Sequence, residues 1–221
     1  MKTKNTNTKF DRKKEFEKDN EFGNWGEGVM INFIEEKFKN GTSFSSYWYS
    51  SGDITKDKRK LKKWDLRFGL YTYQDRINFY DKFEVEVKTD GYVRNTGNLI
   101  FEKSCNRKKS GVFATEAKYF IYFLPLFKED NIYLIKSKDL IKLLNNYNHL
   151  LVEGGDFGSK TFMYKIPRVE FNSEFIKAGG KIITWNKYNI PDKFNKTQFI
   201  DNKYTFIAQE IKEYEDPFKW D

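Results

Sequence analysis

The segment FEVEVKTD, Phe83 to Asp90, alternates without a break, with Phe83, Val85 and Val87 set against Glu84, Glu86 and Lys88. A period of two fits an extended strand with one apolar and one charged face, because successive side chains leave opposite faces of a strand. The fold must bury the first face and either solvate the second or use it. Glu86 and Lys88 necessarily point the same way. The spacing acid-x-lysine recurs at Glu35-x-Lys37, Glu116-x-Lys118, Glu210-x-Lys212, Asp11-x-Lys13 and Asp201-x-Lys203. Only at Glu86-x-Lys88 is it held in an alternating strand with an apolar backing.

The surrounding segments suggest what that strand pairs with. WDLRFGLYTY and RINFYDKFEVEVK read as two paired strands joined near Gln74 and Asp75. Asp65 then stands on the partner strand. Neighbouring strands lie about 4.8 Å apart, so carboxylates there are within reach of one small cation. Asp65, Glu86, the main-chain carbonyl of Val87 and water would make an oxygen set suited to Mg²⁺ or Mn²⁺.

Upstream, EFGNWGEGVMINFIEEKFKNG has helical spacing, with Ile31, Ile34 and Phe38 on one stripe and Glu27 on the same stripe, four residues before Ile31. An acid on the core-facing side of a helix is unusual. Downstream, GNLIFEKS and NIYLIKS read as strands, and TEAKYFIYFLPL as a helical turn running into a buried strand. SKDLIKLLNNYN reads as an amphipathic helix with Ser137 as its N-cap. This order predicts an α/β fold, a central mixed sheet flanked by helices. Residues 1–20 are expected to form a charged arm or a solvated helix, and residues 21–221 a single domain.

Composition narrows the chemistry. The one cysteine, Cys105, excludes an internal disulfide and any Cys-rich metal site. The one histidine, His149, excludes chemistry that needs a His pair, such as a zinc hydrolase, and is expected at the surface or as a cap. No segment has the pattern of a secretory signal or a membrane span, so the expected location is the cytoplasm of the cell or its host, with no membrane partner. A net charge of +8 favours a polyanion partner, and equally fits the Lys-, Asn-, Ile- and Phe-rich composition that an AT-rich genome imposes.

The order of these acids resembles the PD-(D/E)xK nuclease superfamily, in which an acid on a helix precedes an Asp on one strand and Glu-x-Lys on its hairpin partner. Glu27, Asp65, Glu86 and Lys88 match that order. GNLIFE and SGVFATEAKYFIYFL are similar to the stretch that follows in phage-encoded members, and EGGDF is loosely like a later loop. The resemblance spans residues 22–165. Trp64 stands where the customary proline precedes the Asp.

The resemblance implies a restriction-endonuclease-like core and a metal-dependent deoxyribonuclease, an endonuclease, working in phage or mobile-element DNA processing. Asp65 and Glu86 would hold Mg²⁺ or Mn²⁺, Lys88 would orient the water or meet the developing charge, and Glu27 would support the metal from the helix. Glu102, on a neighbouring strand, is a weaker candidate for the same cluster. Lys60, Lys62 and Lys63, with Arg107, Lys108 and Lys109, would form a phosphate-binding rim, and Ser110, Thr115 and Lys118 would add contacts. Tyr47, Trp48 and Tyr49 are candidates for stacking on bases. DNA is the expected partner, and cutting both strands of a duplex would suggest a homodimer. A nucleic-acid-binding protein without catalysis remains the alternative.

Overall fold

The structure is a computed structural model that describes residues 9–41, 44–50, 64–72, 81–154 and 160–195. A long helix, α1 (Lys9–Gly41), precedes three strands, β1 (Phe44–Ser50), β2 (Leu66–Thr72) and β3 (Asp81–Thr89). One helical turn, α2 (Val93–Thr96), leads into the hairpin of β4 (Asn98–Cys105) and β5 (Lys108–Lys109). A 3-10 turn at Gly111–Phe113 then precedes β6 (Tyr119–Phe123), β7 (Ile132–Lys136) and α3 (Ser137–Asn145). A second 3-10 turn at Asn148–Leu150 is followed by β8 (Leu151–Gly154), β9 (Thr161–Pro167), α4 (Arg168–Lys177), β10 (Lys181–Ile183) and α5 (Asp192–Asn195).

The strands form a central six-stranded sheet in the order β1-β2-β3-β6-β7-β10 and a second, four-stranded sheet in the order β5-β4-β9-β8. β3 and β6 run parallel and the other pairs antiparallel, so the central sheet is mixed, as the sequence predicts. The crossover from β3 to β6 carries the β4–β5 hairpin, which places the second sheet beside the charged face of β3. Asn106 (φ 48°) and Arg107 (φ 66°) make the two-residue turn of that hairpin, with both central residues left-handed as a tight hairpin of matching twist requires.

The central sheet is covered on both faces, which is why β6 reads as an unbroken apolar run with every residue buried. On one face Val29, Met30, Phe33 and Ile34 of α1 pack on Leu66, Phe68, Phe83, Val85 and Ile121. On the other, Phe120, Tyr122, Tyr133 and Ile135 meet Leu99, Phe101, Tyr164 and Ile166 of the second sheet, with Leu140 and Leu144 of α3 and Phe171 and Phe175 of α4.

Helix α1 lies unusually close to the end of β3 at Gly26. A Cβ there would fall 1.8 Å from Thr89 Oγ1, so only glycine permits the contact. Ile31 and Ile34 are buried as their spacing predicts, and Glu27, on the same stripe, is half-buried.

One expectation is corrected. Ser137 is not the N-cap of α3. Lys136 holds that position in extended conformation, because β7 runs into the helix without a loop, and Ser137 is the first helical residue, with its N–H donating to the Lys118 carbonyl at 3.0 Å. Residues 9–20 are helical, and residues 17–20 are exposed. His149 is exposed in its 3-10 turn. Among the described residues no helix is long and apolar enough to cross a membrane.

A candidate active site on an open flank of the central sheet

The register of β2 and β3 creates the site. Leu66, the first residue of β2, pairs with Val85, so β3 continues past the start of β2 and, among the described residues, no strand pairs with its Val87–Thr89 segment on that side. On the other side the same residues remain paired with β6 through Val87↔Ile121, Lys88↔Tyr122 and Thr89↔Phe123. Asp65 closes the notch. Its N–H donates to the Val85 carbonyl at 3.1 Å, and its carboxylate accepts the Val87 N–H at 2.7 Å. A strand residue turns its N–H and C=O to the same side, so the Val87 carbonyl faces the flank where Asp65 stands.

The charged face of β3 looks toward the second sheet and not into open solvent. Glu84 is neutralised by Arg67, directly opposite it in the register, with Nε at 3.1 Å and an Nη at 3.0 Å from the carboxylate. Glu86, two residues on, has no such partner among the described residues. Its one side-chain hydrogen bond among the described residues comes from the Thr115 hydroxyl, at 2.9 Å. Lys88 makes no hydrogen bond or ion pair with a described side chain, and its charge acts favourably on Glu86.

The electrostatics follow from this crowding. Burial pushes the Asp65 carboxyl up to about 6, against the pull of the Val87 N–H. Burial, and then the charge of Asp65, push Glu86 up to about 8, with a further upward contribution from Glu27 that Thr115 and Lys88 only partly oppose. Glu27, on α1, is near enough for its charge to act on Glu86, and the close Gly26–Thr89 approach holds that part of the helix against the end of β3. Burying unpaired carboxylates together is unfavourable, and a bound cation would relieve it.

The structure thus brings together Glu27, Asp65, Glu86, Val87 and Lys88. Among the described residues no three acidic, His or Cys side chains converge as a metal cage, so Asp65 and Glu86 form a two-carboxylate set. Glu102 is on β4, in the second sheet, and lines the same cleft as Glu86 and Lys88. Ser110 donates its hydroxyl to Glu102 at 2.7 Å, as Thr115 does to Glu86, so both hydroxyls contact acids. The Thr115 oxygen also accepts the Ala117 N–H at 3.1 Å, which leaves its proton for Glu86.

Gly111 (φ 51°) presses the intervening turn onto β4, where a Cβ would sit 3.1 Å from the Glu102 carbonyl. The partners of these hydroxyls are 8 and 29 residues away in sequence, so no local pattern marks them as carboxylate holders. Arg107, Lys108 and Lys109 are exposed on the hairpin that leads into Ser110, and Lys118 is exposed with its ammonium 5.4 Å from the Tyr119 ring centroid. Lys60, Lys62 and Lys63 lie outside the described residues, as do the side chains of Tyr47, Trp48 and Tyr49.

No protein-family model matches the chain, and no curated protein matches it. Among solved structures it is similar to D212, a nuclease from a fusselovirus, with 12% identity and a TM-score of 0.35, covering 68% of this chain and 87% of that one.

Proposed function

We propose that this chain is a divalent-cation-dependent nuclease that hydrolyses phosphodiester bonds in DNA, with Asp65, Glu86 and Lys88 as its reacting groups. The observation that carries this reading is the pair of half-buried, mutually repelling carboxylates on a strand flank that no described strand pairs, beside a lysine with no anionic partner among the described residues. The donor set fits Mg²⁺ or Mn²⁺. Such ions are commonly held by one or two carboxylates plus water and substrate phosphate, without a full protein cage. Asp65, Glu86 and the Val87 carbonyl would hold the ion, and Glu27 would add negative charge from the helix.

When bound, the cation supplies Lewis acidity at the phosphoryl oxygen and makes water acidic enough to attack near neutral pH. The chain's own groups do the rest. Asp65 is oriented by the Val87 N–H and Glu86 by Thr115, so neither carboxylate has to be ordered when substrate arrives. Lys88 Nζ, on the same strand face as Glu86, donates to the oxygen on which negative charge grows. Arg107, Lys108 and Lys109 supply positive charge along the approach to the cleft.

The test is incubation of circular, linear and branched DNA with the purified chain in Mg²⁺ or in EDTA. Cleavage in Mg²⁺ that is absent in EDTA is expected. DNA binding without cleavage in either would replace this reading with a non-catalytic nucleic-acid-binding protein.

A further inference from the structure

A cleft of about 250 Å³ lies between β3, β4, the Gly111 turn and α1. Glu86 and Lys88 stand on one wall and Glu102 on another, and Phe101 and Phe120 contribute apolar surface. We propose that this cleft receives one unpaired nucleotide of the DNA, base first, and that Glu102 hydrogen-bonds the base's amino group. The proposal rests on the nuclease reading of Glu86 and Lys88, and it names the form of substrate that reading leaves open.

Three observations support it. The first is size. Pockets for drug-sized ligands begin near about 300 Å³, so this cleft has room for a single base and its sugar but none for stacked base pairs. The second is charge. Glu102, on the wall away from Lys88, repels a phosphate from its side of the cleft, whereas a base is neutral, has apolar faces that suit Phe101 and Phe120, and carries hydrogen-bond donors at its edge.

The third is an unused acceptor. The Ser110 hydroxyl bonds Glu102 Oε2, and Oε1 has no donor among the described residues. A carboxylate is an acceptor only, and it pairs with an amino group such as that of cytosine. The arrangement resembles in principle other enzymes that act on a nucleotide taken out of its stack, at a cost of a few kcal/mol that is least where the base is already unpaired. Single strands, flaps and frayed ends are therefore the substrates that fit.

Gly23 gives a clean test. It lines the cleft one helical turn before Glu27, and a Cβ added there meets no atom within 4 Å. Leucine is a better helix former than glycine, so Gly23→Leu should fill the cleft while leaving the helix intact. Binding of a labelled single-stranded oligonucleotide in EDTA, its cleavage in Mg²⁺, and Mn²⁺ binding by calorimetry are measured on the full chain. Wild type is expected to bind the oligonucleotide and to cut it at least tenfold faster than covalently closed duplex. Gly23→Leu should lose both by tenfold or more and keep Mn²⁺ binding and its circular dichroism.

Glu102→Gln should slow cutting next to cytosine and adenine more than next to thymine. If Gly23→Leu binds and cuts like wild type, or if closed duplex is cut as fast as single strands, the cleft assignment is overturned while the nuclease reading stands. If wild type cuts no DNA and Gly23→Leu still weakens oligonucleotide binding, the nucleotide site stands and the nuclease reading falls. Absence of oligonucleotide binding by wild type overturns the site.

Discussion

Two acids near the end of β3 have opposite surroundings. Asp90, immediately after the strand, is buried, with one carboxylate oxygen accepting the Tyr92 N–H at 2.7 Å and the other the Tyr122 hydroxyl at 2.5 Å. Tyr122 also accepts the Ile100 N–H at 3.1 Å, so the cluster ties β6 of the central sheet to β4 of the second. Burial, and then the nearby Asp90 charge, push the Tyr122 phenol well above its ordinary range, which keeps it a donor. Glu86, four residues earlier, has one hydroxyl partner and two acids nearby. Asp90 is buried and Glu86 half-buried, and among the described residues only Asp90 has a donor on each carboxylate oxygen. The difference teaches that Asp90 is bound into the structure, whereas at Glu86 the described residues leave a crowding of negative charge that Thr115 and Lys88 only partly offset.

The sharpest way to break this comparison is to remove the acids one at a time. Asp65→Ala or Glu86→Ala should reduce cleavage by on the order of 10³ or more, while the fold survives or gains stability, because like charges are separated. Full activity in either purified variant would remove the site assignment. Lys88→Met should keep Mn²⁺ binding and DNA binding and lose cleavage by on the order of 10²–10³. Wild-type turnover by that variant would end the catalytic role of Lys88.

Asp90→Ala should behave in the opposite manner. It removes the short hydrogen bond of the Tyr122 hydroxyl and the bond of the Tyr92 N–H to the carboxylate, at a cost of roughly 2–3 kcal/mol in stability, with turnover per folded molecule changed only a few-fold. Urea denaturation read alongside single-turnover cleavage separates the two outcomes. A stable Asp90→Ala protein with no activity would move Asp90 into the site.

The pH dependence of stability sharpens the same contrast. Asp65 and Glu86 sit at about 6 and about 8 in the folded chain, above their ordinary values of 3.8 and 4.5. A group whose folded value is raised contributes stability below its unfolded value and loses it as pH rises through the folded one. In EDTA, the melting temperature of wild type should therefore fall between about pH 4 and pH 8 more steeply than that of Glu86→Gln. Mg²⁺ should recover most of the loss at pH 8, since it binds the folded form. Parallel melting profiles for the two proteins in EDTA would show that Glu86 is not strained by its neighbours.

The smallest effect is expected at Thr115. Thr115→Val should weaken metal binding and cleavage by about 10–100-fold, as is usual when a group orienting a ligand is lost, and Thr115→Ser should restore both. Equal impairment by Val and Ser would point to packing and not to the hydrogen bond on Glu86.

Much of this was legible in the sequence because it depends on local periodicity. The alternation of Phe83–Lys88 determined a strand with Glu86 and Lys88 on one face, the aromatic run ahead of it supplied a hairpin partner, and the spacing of Ile31 and Ile34 marked the buried stripe that Glu27 shares. The single Cys105 and His149 excluded whole classes of metal site. What the sequence could not show depends on contacts between distant segments. The charged face of β3 looks onto a second sheet because a hairpin is inserted in its crossover, and nothing in FEVEVKTD signals that.

The start of β2 one residue after Asp65, opposite Val85, leaves Val87 open to the Asp65 carboxylate, and a shift of register by one residue would have turned the charged face of β3 to the other side. Ser137 reads as an N-cap until β7 is seen to run directly into α3. Ser110 and Thr115 read as phosphate contacts, and the Gly111 turn brings their hydroxyls onto Glu102 and Glu86. Periodicity determines which way a side chain leaves its own strand, while the tertiary structure alone decides what stands opposite it, and hence whether a charge there is solvated, neutralised or left for a ligand.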